Sequence, residues 1–172
     1  MSNEQLKFEQ LLARHCALAL CKQKTANMFH INRNCINDLD EMVNWYNRLF
    51  AAKGIKIRIF QSKQQRVMIY VYCPKLVEQL LHDASVVKLL SKFNYPEDDM
   101  EKVFQYLEYR LNTCKTFPHE IGIFLGYPLS DLIGFLQNIP CLYVANWKVY
   151  SNVNESKKRF KQFQETKDLL KR

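Results

Sequence analysis

Two adjacent residues, His119 and Glu120, have side chains that transfer protons or anchor polar ligands. Both follow Pro118 directly, and proline is common in the first turn of a helix. The N–H groups at a helix start are unpaired and lie at the positive end of the helix dipole. We therefore expect an anion or substrate site there, with His119 and Glu120 as candidate catalytic residues. The same pattern also fits a purely structural explanation, in which the His119 imidazole is exposed and the Glu120 carboxylate only complements the helix dipole.

The glycine distribution draws attention to the same segment. Gly122, Gly126 and Gly134 are three of the four glycines, and all lie shortly after Pro118. Glycine inside a helix costs about 1 kcal/mol relative to alanine. Their presence in predicted helices therefore indicates either close packing or space for a ligand.

Four further residues are candidate ligand-binding residues. Lys24 and Asn27 lie in a polar turn that could hold a phosphate or a carboxylate, although asparagine is also common in ordinary turns. Trp147 and Tyr150 lie on a predicted strand and could stack on a flat ligand or pack in the core. The leading hypothesis is a small-molecule pocket between the Pro118 helix and the Lys24 turn. The ligand would be anionic or flat.

A metal site could use His15, Cys16, His119 and Cys141, because zinc accepts these ligand types. No two of them have the local spacing of a zinc finger or ribbon. His15 lies on the apolar face of a predicted helix, which favours a core histidine. We therefore predict no metal site, and the sequence identifies no cofactor.

A cysteine hydrolase is an alternative in which Cys16 is the nucleophile and His119 the base. Glu120 or Asn146 would then orient the imidazole. Such chemistry requires a base within hydrogen-bond reach and a lowered thiol pKa. Cys16 lies in the middle of a predicted helix, which weakens this alternative.

A non-enzymatic interaction module or nucleic-acid-associated regulator is the second main hypothesis. The net charge is +8, and the C-terminal helix predicted at about 154–171 is rich in lysine. The segment 119–137 also resembles a helix-turn-helix. Its second helix would begin near Leu129 and is apolar and acidic, so it offers no lysine or arginine to DNA.

The periodicity of apolar residues predicts an α+β fold in a single domain, residues 1–172. We expect a small, mainly antiparallel sheet of three or four strands packed with about seven helices. The predicted strands are 55–59, 66–73 and 142–150, with a further short strand near 26–30. The predicted helices are 4–20, 38–53, 75–93, 97–113, two short helices led by Pro118 and Pro128, and the basic C-terminal helix.

The composition also predicts the cellular location of the protein and the state of its cysteines. No apolar run approaches the roughly 20 residues that span a bilayer, and the N-terminus is polar. We therefore expect a cytoplasmic protein without a membrane span. Most of the 6 cysteines should be buried thiols in that reducing environment. The oligomeric state does not follow from the sequence.

Several segments resemble the family called domain of unknown function 3793, which is found mainly in anaerobic bacteria. The resemblance rests on FPHEIGIFLGYPLSDLIGFLQN at 117–138, NWKVY at 146–150, the block 15–29 and the strand 69–72 before Pro74. It spans nearly the whole chain. The family has no established activity, so the resemblance implies a bacterial origin and assigns no role to any residue.

Overall fold

The computed structural model describes residues 2–61, 65–97 and 99–169, and a three-stranded antiparallel sheet lies at its centre. The strand order is β1-β3-β2. The three strands are β1 (Ala26–Asn32), β2 (Lys56–Gln61) and β3 (Arg66–Tyr72). β3 is apolar on both faces, and it is the central strand because only that position covers both faces.

The register of the sheet separates the core into two halves. Ile69 of β3 pairs with Phe29 of β1 and Ile59 of β2, and these side chains point to one face. The neighbouring residues Met68 and Tyr70 point to the other face. Since side chains alternate along a strand, each face receives its own set of helices.

The first face of the sheet is covered by α1 (Asn3–Leu20) and α2 (Leu39–Phe50). Ser2 caps α1 in a reciprocal capping box, and the Asp38 side chain accepts from Glu41 N–H at the start of α2. The predicted helix 38–53 ends in a short 3₁₀ turn over Ala51–Lys53. Gly54 then terminates the helix in the left-handed conformation.

The second face is covered by five helices. They are α3 (Pro74–Leu81), α4 (Ala84–Ser91), α5 (Met100–Thr113), α6 (Ile121–Phe124) and α7 (Leu129–Leu136). The prediction of one continuous helix over 75–93 is wrong, because the chain breaks at His82 and Asp83. The Asp83 side chain accepts from Ser85 N–H and Val86 N–H, which starts a new helix.

The C-terminal part forms a hairpin and a long helix. The predicted strand 142–150 is instead two short strands, β4 (Tyr143–Val144) and β5 (Lys148–Val149), which pair with each other. The chain turns between them, where Ala145 N–H donates to Trp147 O. The basic helix α8 (Val153–Leu169) follows, buries Phe160 and Phe163 and packs against α1. The predicted end near 171 lies outside the described residues.

The predicted fold class is confirmed. Within the described residues, the structure has eight α-helices, the antiparallel three-stranded sheet and the two-stranded hairpin. The strand near 26–30 is present as β1 and extends to Asn32. β1 pairs with the central strand β3 and not with its sequence neighbour β2. β3 therefore has a hydrogen-bonded partner strand on each side.

The glycines of the Pro118 segment allow close packing. Gly126 has φ +72°, and a Cβ there would lie 2.5 Å from Thr25 Oγ1. A Cβ on Gly134 would lie 2.5 Å from Cγ of the Tyr150 ring. Of the two explanations for these glycines, the geometry therefore supports close packing at both positions.

Gly134→Ala should destabilise the protein, although alanine is the better helix former by about 1 kcal/mol. The added methyl meets the Tyr150 ring, whose backbone N–H is held by Asp131, so the overlap should cost roughly 1–3 kcal/mol. Urea denaturation measures the change. In a Tyr150→Ala background the same substitution should become neutral or stabilising, and an unchanged penalty there would contradict this explanation.

Candidate functional site

A cleft of about 310 Å³ lies between α6, α7 and the β4–β5 hairpin. Most of its wall is apolar and is formed by Phe117, Ile121, Gly122, Leu125, Tyr127, Leu132, Phe135 and Trp147. The polar residues along it are His119, Asp131, Asn146 and Lys148. Ligand pockets begin at about 300 Å³, so this cleft has the size for a small ring system.

Two basic side chains meet at one aromatic ring on the rim of the cleft. The His119 ring meets Phe135 edge-on with 4.8 Å between ring centroids. Lys148 Nζ lies 5.5 Å from the centroid of the same ring. Both basic residues are exposed. The structure therefore brings the predicted residue His119 together with Lys148, which is not among the predicted site residues.

Trp147 forms part of the cleft wall and is only 7% exposed. Its ring stacks on Tyr127 at 5.1 Å and meets Phe160 of α8 edge-on at 4.5 Å. The alternatives of core packing and ligand stacking are thus both compatible with its position. The Tyr127 ring also lines the cleft, so a flat ligand would meet two stacked aromatic side chains.

Asp131 organises the cleft and was not predicted. It lies in the first turn of α7 and is 3% exposed. Its Oδ2 accepts from Trp147 Nε1–H at 2.8 Å, and its Oδ1 accepts from Tyr150 N–H at 2.8 Å and Ser151 N–H at 3.2 Å. The sequence feature that could have indicated this role is a single carboxylate in an otherwise apolar helix, because a buried carboxylate needs hydrogen-bond partners.

Glu120 lies next to His119 in the chain but does not line the cleft. It is 1% exposed, and its Oε1 accepts from Arg110 Nε–H at 2.5 Å and from the Tyr95 hydroxyl at 3.2 Å. Burial and the Glu120 carboxylate raise the pKa of Tyr95. These contacts describe a buried ion pair that ties α6 to α5.

The start of α6 differs from the expected anion site. The Pro118 segment begins with a turn, and the helix itself contains only the four residues Ile121–Phe124. The first N–H groups are already used, since Ile121 N–H donates to Pro118 O and Gly122 N–H to His119 O. The expectation of free N–H groups aimed at a ligand is therefore not met here.

Lys24 also does not line the cleft, although it contacts one of the residues that form the cleft wall. It is 8% exposed, and its Nζ lies 4.6 Å from the centroid of the Tyr127 ring. Burial, together with the nearby Lys167 and Arg159 charges, lowers the pKa of Lys24 to about 8. The Tyr127 ring thus lies between Lys24 and the cleft that His119 lines, so these two predicted site residues do not share one site.

The other two predicted ligand-binding residues have structural contacts. Asn27 Oδ1 accepts from Ala19 N–H at 3.0 Å and joins β1 to the end of α1. Tyr150 is half-buried, its ring lies against Gly134, and it is not part of the cleft lining. Of the four residues predicted to bind a ligand, only Trp147 lines the cleft.

The residues considered for metal binding or thiol chemistry are spread over the fold. Cys16 is buried between the sheet and α1, where burial raises its thiol pKa to about 12 and disfavours the nucleophilic thiolate. His15 is exposed and stacks on Phe29, so it is not a core histidine. Within residues 2–61, 65–97 and 99–169, no three His, Cys, Asp or Glu side chains cluster around a metal position.

The expectation that most cysteines are buried is wrong. All six thiols are free, but only Cys16 and Cys73 are buried, whereas Cys21 is exposed. Cys35, Cys114 and Cys141 are partly exposed because they lie at element ends and in loops. The two buried cysteines face the core from α1 and from the end of β3.

The helix-turn-helix resemblance corresponds to α6 and α7. The second of these helices buries Asp131, Leu132 and Gly134 and packs against β5, so that face is used inside the fold. None of the helices in the described part of the chain combines the length and apolar character required to cross a membrane.

These observations define an α+β domain with an aromatic cleft and a basic rim. The sequence model of one family, described as "Protein of unknown function (DUF3793)", matches residues 12–172. The chain belongs to this family, which confirms the resemblance seen in the sequence. Neither a curated protein nor a solved structure matches the chain.

Glu120→Gln should lower the free energy of unfolding by about 2 kcal/mol, because it leaves the Arg110 guanidinium without its buried counter-charge. Glu101→Gln is the matched control, since Glu101 also pairs with an arginine, Arg58, but is 57% exposed. The control should change stability by less than about 1 kcal/mol. Equal effects in chemical denaturation would contradict a structural role for Glu120.

Lys24 should make stability depend on pH. Its folded pKa of about 8 is below the ordinary 10.5, so the unfolded chain holds more protons between these values and stability rises with pH across that window. Arg159 and Lys167 of α8, Cys16 of α1 and the Tyr127 ring face the amine. Below about pH 8 the cost of the buried charge is fully present.

The measurement compares the free energy of unfolding of the wild type and Lys24→Met from about pH 7 to about pH 9. The wild type should gain about 1 kcal/mol more than the variant over this range. Lys22→Met removes an exposed lysine from the same turn and should follow the wild type. Parallel profiles for wild type and Lys24→Met would contradict the lowered pKa.

Proposed function

We propose that the protein binds a small, flat molecule in the aromatic cleft and holds an anionic group of that molecule at the His119 and Lys148 rim. The observation that carries this proposal is the combination of a cleft of about 310 Å³ with two basic side chains at the same Phe135 ring. An apolar cavity with a few convergent polar groups is the usual form of a ligand site.

The chemistry of the cleft favours a planar ring with one negative charge. Trp147 and Tyr127 offer stacked aromatic surfaces, which attract flat apolar groups. The Asp131 carboxylate keeps its negative charge, but its two oxygens are engaged by the Trp147 indole N–H and by two backbone N–H groups. Lys148 is therefore the residue that would bind a carboxylate or phosphate, with the His119 imidazole as a second donor.

His119 is the residue in this site that would transfer a proton if the bound molecule is converted. Glu120 supports the site indirectly, since its ion pair with Arg110 anchors the start of α6 to α5. Catalysis by the pair His119 and Glu120 is thus less favoured than polar anchoring by His119 alone. A cytoplasmic location remains part of this proposal.

The basic helix α8 supports the alternative of a nucleic-acid-associated protein to a lesser extent. Lys157, Lys158 and Lys161 are exposed, but Glu155 and Glu165 are exposed on the same helix. Its buried face supplies Phe160 to the aromatic cluster behind the cleft. A steep salt dependence of retention on heparin, lost when the three lysines are replaced, would favour that alternative.

The test uses Trp147 as the reporter. Trp45→Phe leaves Trp147 as the single tryptophan, because the chain contains only two. Benzoate, nicotinate and indole-3-carboxylate are titrated while Trp147 emission is recorded, and native mass spectrometry of the purified protein searches for a retained compound. We expect at least one of these anions to quench Trp147 saturably.

Lys148→Ala should weaken that binding by about tenfold, since a charge-assisted hydrogen bond is lost. Lys115→Ala is the control, because Lys115 is exposed and does not line the cleft. It should leave the affinity unchanged. The proposal is overturned if no anion quenches Trp147 and no compound is retained, or if both lysine variants bind equally well.

A further inference from the structure

The aromatic cleft has one acidic side chain in its wall, and this side chain is almost fully buried. Asp131 lines the cleft and is only 3% exposed. Among the ion pairs that the described residues form, none includes it. A carboxylate removed from water is unfavourable unless hydrogen bonds or an opposite charge compensate for the lost hydration. Asp131 therefore depends on hydrogen-bond donors, and a ligand in the cleft can add one.

The hydrogen bonds of Asp131 do not use its full capacity as an acceptor. An ionised carboxylate has about four lone-pair positions on its two oxygens. Oδ1 accepts from two backbone N–H groups, those of Tyr150 and Ser151. Oδ2 accepts from the Trp147 indole N–H. Because Oδ1 has two donors and Oδ2 has one, the remaining acceptor position belongs to Oδ2.

Oδ2 is the oxygen on the side of the cleft. Asp131 lines both the cleft and a second hollow of about 470 Å³. Ser151, whose N–H binds Oδ1, lines the second hollow and not the cleft. Trp147, whose indole binds Oδ2, lines the cleft and not the second hollow. The remaining acceptor position is therefore directed to the space that a ligand would occupy.

The rim of the same cleft has the opposite charge. Lys148 and His119 both lie against the Phe135 ring and are exposed. Lys148 forms no ion pair with Asp131, although the described structure places both residues along the cleft. The cleft thus has donors at its rim, an acceptor in its wall and a mainly apolar surface elsewhere.

We infer that the cleft selects aromatic acids whose ring also carries an amine. The inference rests on the proposed function and narrows its ligand class. The acidic group of the ligand binds Lys148 and His119, the ring lies against Trp147, and the amine N–H donates to Oδ2 of Asp131. No covalent step is involved.

The charge of Asp131 decides between an amine and a second acidic group on the ring. An N–H donor to a carboxylate forms a charge-assisted hydrogen bond, which is stronger than a neutral one. A second carboxylate would instead meet a like charge in a site with little water, because the N–H groups that bind Asp131 do not remove its charge. The net charge of +8 alone would favour the opposite order, since it attracts a dianion most strongly.

The test measures the affinity of the full wild-type chain for a series of benzoates by isothermal titration calorimetry at neutral pH. The series contains benzoate and the meta and para isomers of aminobenzoate, methylbenzoate and benzenedicarboxylate. Methylbenzoate has the shape of aminobenzoate without its donor. We expect one aminobenzoate to bind about tenfold more tightly than the matching methylbenzoate. Both dicarboxylates should bind about tenfold more weakly than benzoate, or less tightly still.

Asp131→Asn should reduce the preference for aminobenzoate over methylbenzoate from about tenfold to about twofold or less, because it removes the charge of the acceptor. Glu120→Gln is the matched control, since Glu120 is a buried carboxylate that does not line the cleft. It should keep the wild-type preference. The ratio of two affinities is compared because the amide also changes the contact with the Trp147 indole. If Asp131→Asn does not fold, the wild-type series decides by itself.

The outcomes separate this inference from the proposed function. The inference is overturned if aminobenzoate and methylbenzoate bind equally well, or if a dicarboxylate binds as tightly as benzoate. It is also overturned if Asp131→Asn keeps the full preference for the amine. In each of these cases, saturable binding of benzoate that Lys148→Ala weakens leaves the proposed function in place. If no member of the series binds, the proposed function and the inference fail together.

Discussion

The buried carboxylate of Asp131 is the interaction on which the cleft depends. It joins α7 to the end of the β4–β5 hairpin by accepting hydrogen bonds from the Trp147 indole and from two backbone N–H groups, those of Tyr150 and Ser151. The hairpin has only two short strands and does not pair with the main sheet, so it has little stability of its own. Asp131 therefore holds Trp147 against α7. The Trp147 side chain then forms the wall of the cleft between α7 and the hairpin.

Close packing around the glycines supports the same arrangement. Gly134 allows the Tyr150 ring to lie directly on α7, next to the point where Asp131 holds the backbone of Tyr150. Gly126 allows the turn between α6 and α7 to contact Thr25 at the start of β1. Tyr127, immediately after that turn, then contacts both Lys24 and Trp147. One ring thus connects the cleft with the buried Lys24 behind it.

The sheet and most helices can be predicted correctly from the sequence, because their apolar residues repeat with the period of the element that they form. The break at Asp83 was missed, since apolar residues with helical spacing continue on both sides of it and the capping contact is local. The strand 142–150 was overextended, because its alternating pattern is also produced by a tight hairpin. For the site, His119 and Trp147 were found by residue type, whereas Asp131 and Lys148 were missed because their roles depend on distant partners.

The sequence by itself determined the α+β class and the membership in the family, since these follow from periodicity and from runs of consecutive residues. The tertiary structure alone decided which polar residues share a site. His119 and Glu120 are neighbours in the chain, yet one lies on the cleft rim and the other in a buried ion pair. The physical reason is that adjacent side chains in a turn point in different directions, and only packing decides which direction is the interior.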